Sequence, residues 1–163
     1  MSHIEKTIID YLLDPDTDMQ TNATRQAARY AIAGTVGQNV FLGHGIQSVD
    51  GLFIVVNRYS NQRFNDVAAE DSLRFSRLDV TAWGRGPGVG LGLLDLAENI
   101  RLALVDYCDY MGGTRIFEIS INGDGIQTAI PPDDKSDNWM LSYATDLEVA
   151  HQQAVSINPV LGE

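Results

Sequence analysis

The sequence predicts an α+β domain: a mainly antiparallel sheet of four to five strands backed by one long helix, with a helix or helices at the N-terminus. Three observations carry this. Apolar residues recur at helical spacing across 91–109. Five separate segments are rich in β-branched and aromatic residues or alternate at period two. The links between strand-like segments are of hairpin length, which joins antiparallel neighbours.

The first helix opens with Ser2 and Glu5 at capping-box spacing, and Ile4, Ile8, Tyr11 and Leu12 then recur on one face. It should stop near "DPD" (14–16), because the residue before a proline avoids helical geometry. A shorter helix follows over about 23–33, with Thr21 or Asn22 as cap, Gly34 as terminator and a mostly alanine face. "VFLGH" and "LFIVVNRYS" (52–60) read as strands, and "NQRFNDVAAED" (61–71) as a long hairpin connection. In "SLRFSRLDVTAWG" (72–84) the apolar residues shift parity, from Leu73 and Phe75 to Leu78, Val80 and Ala82, which predicts a bulge or a change of environment. The long helix spans about 91–109, with Leu93, Leu96, Ala97, Ile100, Ala103, Leu104 and Tyr107 inward, and Gly112-Gly113 closes that region. "RIFEISI" (115–121) is a strand with Phe117, Ile119 and Ile121 on one side. "NGDG" (122–125) is a turn signal and "PPDDKSDN" (131–138) a loop. In the last strand, "WMLSYATDLEVA" (139–150), Trp139, Leu141, Tyr143, Leu147 and Val149 alternate. Residues 1–150 thus form one domain and 151–163 a C-terminal tail.

Composition excludes several classes of function. The chain has 163 residues, 22 acidic against 11 basic, and a formal net charge of −11. Only two of the basic residues are lysines, Lys6 and Lys135. So acidic a surface repels a phosphate backbone, because affinity there comes from counterion release by Lys and Arg. The lone Cys108 rules out an internal disulfide and fits a reducing compartment. No basic segment followed by an apolar stretch opens the chain, and no apolar run reaches the roughly 18 residues of a membrane span, so a soluble intracellular protein is expected.

The motifs that suggest chemistry fail on spacing. "GRGPGVGLGLLDLAENIRLAL" (84–104) places glycines at alternate positions before a helix, in the manner of a phosphate loop. No glycine there satisfies G-x-G-x-x-G, no lysine supplies a P-loop, and Arg85 is the nearest cation. A flexible strand-to-helix connection is the simpler reading. Asp14, Asp16 and Asp18 imitate the opening of an EF-hand, but Met19 stands where its glycine and Arg25 where its glutamate would be. His3, His44 and His151 are far apart, and Cys108, among acidic neighbours at the end of the long helix, reads as a packing residue. The expectation is no enzyme, no cofactor and no metal.

The order of elements resembles one family. An N-terminal helix, a hairpin ending "RLDVTAWG", the helix "LLDLAENIRLAL" and the late strand "WMLSYATDLEVA" are similar to the tail terminator (tail completion) proteins of long-tailed bacteriophages, including those of lambda-like phages and gene transfer agents. The likeness covers roughly residues 4–149. The chain is longer than the usual member in 14–51 and in its loops. The resemblance implies a structural protein of the virion at the tail–neck junction, assembled in the host cytoplasm. It would form a hexameric ring that caps the tail tube, ends its polymerisation and meets the head-closure or connector protein, with DNA as passing cargo and no membrane. A ring needs head-to-tail contacts, for which strand edges and the loops 59–71 and 84–92 are natural material. Candidate interface residues are Arg63, Phe64, Arg74, Arg77, Arg85, Asp133 and Asp134. Two other readings compete: a different neck component such as a head-closure or stopper protein, and a small nucleotide-binding enzyme using residues 84–92.

Overall fold

The computed structural model describes residues 3–43, 50–63, 73–86, 88–131 and 140–152, with the backbone alone at 59–63 and 128. In chain order these form α1 (Ile4–Leu13), α2 (Ala23–Val36), β1 (Val40–Leu42), β2 (Gly51–Arg63), β3 (Leu73–Arg85), α3 (Val89–Leu104), β4 (Asp109–Met111), β5 (Thr114–Ile130) and β6 (Met140–Gln152). The strands make one sheet in the order β1-β2-β3-β6-β5-β4, antiparallel throughout except for the β1–β2 pair. The α+β class and the mainly antiparallel sheet are as the sequence predicts, but the described strands number six.

The helices share one face of the sheet. α3 lies on β3 and β6, α2 packs on α3, and α1 reaches β1 and β2. The core between the layers takes Ile8 and Leu12 from α1, Ile32 from α2 and Leu93, Leu96 and Ile100 from α3, against Ile54, Val56, Leu78, Val80, Leu147 and Val149. Each such side chain contributes about 1.5–3 kcal/mol by leaving water. On β6 the inward residues Leu141, Tyr143, Leu147 and Val149 keep the predicted period of two.

Several local expectations are corrected. The N-cap of α1 is His3, with no side-chain cap hydrogen bond, Ser2 lies outside the described residues, and Glu5 turns to Arg58 at 3.3 Å. Asn22 caps α2 by accepting the Arg25 N–H, but the helix runs through Gly34 and ends against Gly37. α3 stops at Leu104, where Val105 is extended and Asp106 adopts a φ of 64° and donates its N–H to the Ile119 carbonyl. The apolar period ran on to Tyr107 because that ring is buried by another route, edge-on to Tyr11 at 5.4 Å. Cys108, beyond it, is exposed and does not pack. Gly112 and Gly113, both at positive φ, form the two-residue turn between β4 and β5.

Register shifts account for the remaining misreadings. Opposite the parity shift in β3, the extra residue stands on the neighbouring strand: Arg58 pairs with Leu78 and Ser60 with Arg77, leaving Tyr59 as the bulge. In β5, Ile116 pairs with His151 and Glu118 with Ala150, so the bulged Phe117 swings out while Ile116 and Ile119 are buried. The "NGDG" signal makes no turn. It lies inside β5, where Asn122 is a second bulge and Gln127 a third.

Loop 14–18 is organised from within. Arg29 of α2, fully buried, donates to the carbonyls of Tyr11, Asp14, Thr17 and Asp18 and to Gln26 Oε1, with its guanidinium 3.9 Å from the centre of the Tyr11 ring. The calcium-like aspartates therefore frame a cation that the chain supplies itself. Their carboxylates serve other ends: Asp16 accepts from the Tyr30 hydroxyl and Asp18 from the Gly112 N–H.

Candidate functional site

Most of the glycine stretch lies within regular elements. Gly84 belongs to β3, Gly90 and Gly92 to α3, and only residues 86–88 lie between strand and helix. Gly86 and Gly88 carry positive φ and turn the chain. Gly84 and Gly92 serve close approach. A Cβ on Gly84 would stand 3.0 Å from Leu52 Cδ2 and 3.2 Å from Val89 Cβ, and one on Gly92 3.2 Å from Leu52 Cδ1. Leu52 thus seats the first turn of α3 on the sheet.

The candidate interface residues do not converge. Phe64, Asp133 and Asp134 lie outside the described residues, and Arg63 is placed by its backbone alone, opposite Arg74. Arg74 and Arg77, three positions apart on a strand, point to opposite faces. Arg74 sits half-buried on the helix side near His151, with its Nε buried and without a hydrogen-bond partner. Arg77 is exposed on the other face and pairs with Asp146 at 2.8 Å. Arg85 is at the far end of β3, with a nitrogen 3.8 Å from Met140 Sδ. Eleven positions of extended strand separate it from Arg74, roughly 36 Å.

The sheet face turned away from the helices is acidic towards the Arg77 end. Asp79 stands directly opposite Asp146, and Glu148 opposite Ser120 and Arg77, with Glu118 on the same face of β5. Burial first, and then the Asp146 charge, raise the Asp79 carboxyl above the usual carboxylate range. Farther along the same face the character turns aromatic: Phe53 lies parallel to the Trp83 ring at 6.1 Å and edge-on to Phe41.

The sequence reading missed the surface most suited to assembly. β4 covers β5 at 114–116 and Asp106 donates to the Ile119 carbonyl, so from Ser120 to Ile130 β5 has a backbone neighbour on the β6 side alone, among the described residues. Apolar side chains stand exposed along it: Phe117, Ile126 and Ile130. Ile126 pairs with Tyr143 on the helix side and Ile130 with Met140 on the other, so apolar groups flank both faces of the edge. Leu91 and Leu94 of α3 are exposed too, on the stripe that continues into Glu98 and Arg101. Arg101 is felt electrostatically by Tyr143 and Asp124, which hydrogen bond to each other at 2.9 Å, so that stripe overhangs the β6–β5 margin. A signal was present: "IQTAI" (126–130) alternates like a strand, but the preceding "NGDG" hid it between a turn and a loop.

Comparison with solved structures supplies a match for most of the arrangement. A chain in the structure titled "Virion of native gene transfer agent (GTA) particle" superposes with a TM-score of 0.51, covering 86% of this chain and 93% of that one. The fold is shared. Sequence identity is 11%, so the likeness is one of architecture. No protein-family model matches the chain, and no curated protein matches it either. No helix among the described residues is long and apolar enough to cross a membrane.

Proposed function

We propose that this chain is a structural virion protein of the tail-terminator kind: a hexameric ring that caps the tail tube, ends its polymerisation and joins the tail to the head-closure or connector protein. The observation that carries the reading is the fold it shares, over most of both chains, with a chain of a gene transfer agent virion. Two features of the surface support it. The long β5 edge is material for subunit contacts. The acidic sheet face suits a channel through which DNA passes as cargo, because fixed negative charge repels phosphate. The protein acts at the tail–neck junction, after assembly in the host cytoplasm. Its work is done by shape and contact, with no reaction catalysed and no cofactor or metal required.

The test is to add purified protein to polymerising tail tubes and measure tube lengths by negative-stain electron microscopy, with subunit count by native mass spectrometry. The expected result is arrested growth and a ring of six at one tube end. Tubes that continue to lengthen at saturating protein would refute the reading. Binding to isolated head connectors without any effect on tubes would transfer the protein to the head-closure class.

A further inference from the structure

In a ring of the kind proposed above, on which this assignment rests, every subunit presents two different surfaces that fit each other. We propose that one of them is the outer edge of β5 (Phe117–Ile130), and that its occupant is β2 of a second copy, added as a further strand.

The backbone supplies the first argument. Over these fourteen residues β5 has strand pairing with β6 only, among the described residues, and the Ile119 carbonyl alone already accepts a backbone N–H from elsewhere, that of Asp106. About half of its N–H and C=O groups therefore face away from the sheet, since a strand directs them alternately to its two sides. Elsewhere such edges are kept short or guarded by Lys or Pro. This one is long and, though bulged, has neither: Phe117–Ile130 contains no lysine, arginine or proline. In a chain that buries Ile54, Leu78, Ile100 and Leu147 completely, Ile126 is 63% exposed and Leu91 78%. A strand laid along the edge would cover Ile126 on one face and Ile130 on the other.

Charge selects the occupant. The β5 segment carries two acids, Glu118 and Asp124, and no base. Two β5 edges brought together would set acid against acid. At the opposite side of the same sheet, among the described residues, β1 covers β2 only at 54–56. Beyond it, Arg58–Arg63 carries two arginines and no acid. Arg58 is shared with Glu5 of α1, and by sequence the segment carries no acid to repel an acidic neighbour. Joining β2 of one copy to β5 of the next is a head-to-tail contact, which repeats around an axis and closes when the rotation divides the circle. The product is one sheet running through successive subunits.

The test is the double variant Ile126→Lys/Ile130→Lys. Both positions are exposed, so the circular dichroism spectrum and melting temperature should match those of the parent. Sedimentation velocity over a concentration series, with and without tail tubes, reads assembly. Hydrogen exchange with mass spectrometry reads the two edges. The expected result for the parent is assemblies larger than a dimer, with exchange slowed at least tenfold at 58–63 and over a stretch of similar length within 117–130. The variant should sediment as a monomer with both segments exchanging fast. If the variant assembles like the parent, the edge assignment falls while the ring reading stands. Protection at 117–130 without protection at 58–63 overturns β2 as the occupant. If the parent forms no assembly in solution or on tubes, ring and edge assignment fall together.

Discussion

Replacing Arg29 with alanine tests the least expected feature of the fold, a buried cation that fastens a loop to two helices. The guanidinium makes six hydrogen bonds, of 2.8 to 3.2 Å, to four carbonyls and to Gln26. In the alanine variant the carbonyls of Asp14, Thr17 and Asp18, in a loop whose side chains are largely exposed, recover water. The Tyr11 carbonyl and Gln26 lie deeper, and each costs about 1–3 kcal/mol when left without a partner. Loss of the stacking on Tyr11 adds about 1 kcal/mol. The sum is about 4 kcal/mol, which for a chain of this length lowers Tm by about 10 °C. Arg29→Lys keeps the charge but cannot reach four carbonyls at once, and should lose about half as much. Urea unfolding followed by circular dichroism measures both. A loss under about 1 kcal/mol for the alanine variant, or a lysine variant as stable as the parent, would refute this account of the loop.

Three further outcomes can be checked on the same material. Burial holds the His151 imidazole below its usual pKa, and its Nε2 lies 2.8 Å from the buried Ser76 hydroxyl. The unfolded chain therefore takes up that proton first, so the contribution of His151 is complete above about pH 7 and is lost as pH falls through about 6.5. His151→Gln should flatten the dependence of stability on pH between 7 and 5, and a slope equal to that of the parent would disprove the assignment. Gly84→Ala should destabilise by about 1–3 kcal/mol by pressing on Leu52 and Val89. Gly34→Ala, exposed within α2 with nothing within 4 Å, should stabilise by about 0.5–1 kcal/mol. Thermal melts showing the same sign for both glycines would contradict the close-approach argument.

Elements with strong periodicity were legible in the sequence, and those governed by distant partners were not. α1, β3, most of α3 and β6 follow from spacing alone, because one face of each meets the core over several turns or pairs. The end of α3 was hidden because Tyr107 continues the apolar pattern while being buried against α1. The run of β5 through "NGDG" was hidden because each bulge resets which side faces inward, and so mimics a turn. Arg29 gave no sign, since its partners are main-chain carbonyls that no side-chain pattern reveals. The assembly surface was harder still. An unpaired edge is a property of sheet order, and β4 had to be recognised as three residues long before the remainder of β5 stood out.

The three bulges of β5 fall at Phe117, Asn122 and Gln127, one every five residues. Each bends the strand and adds local twist. An edge kinked at regular intervals cannot be matched by a flat strand, so stray polypeptide that would zip onto a straight edge meets a mismatch every few residues. Only a strand with a complementary path pairs along its full length. Selectivity is thereby written into the backbone rather than into side chains.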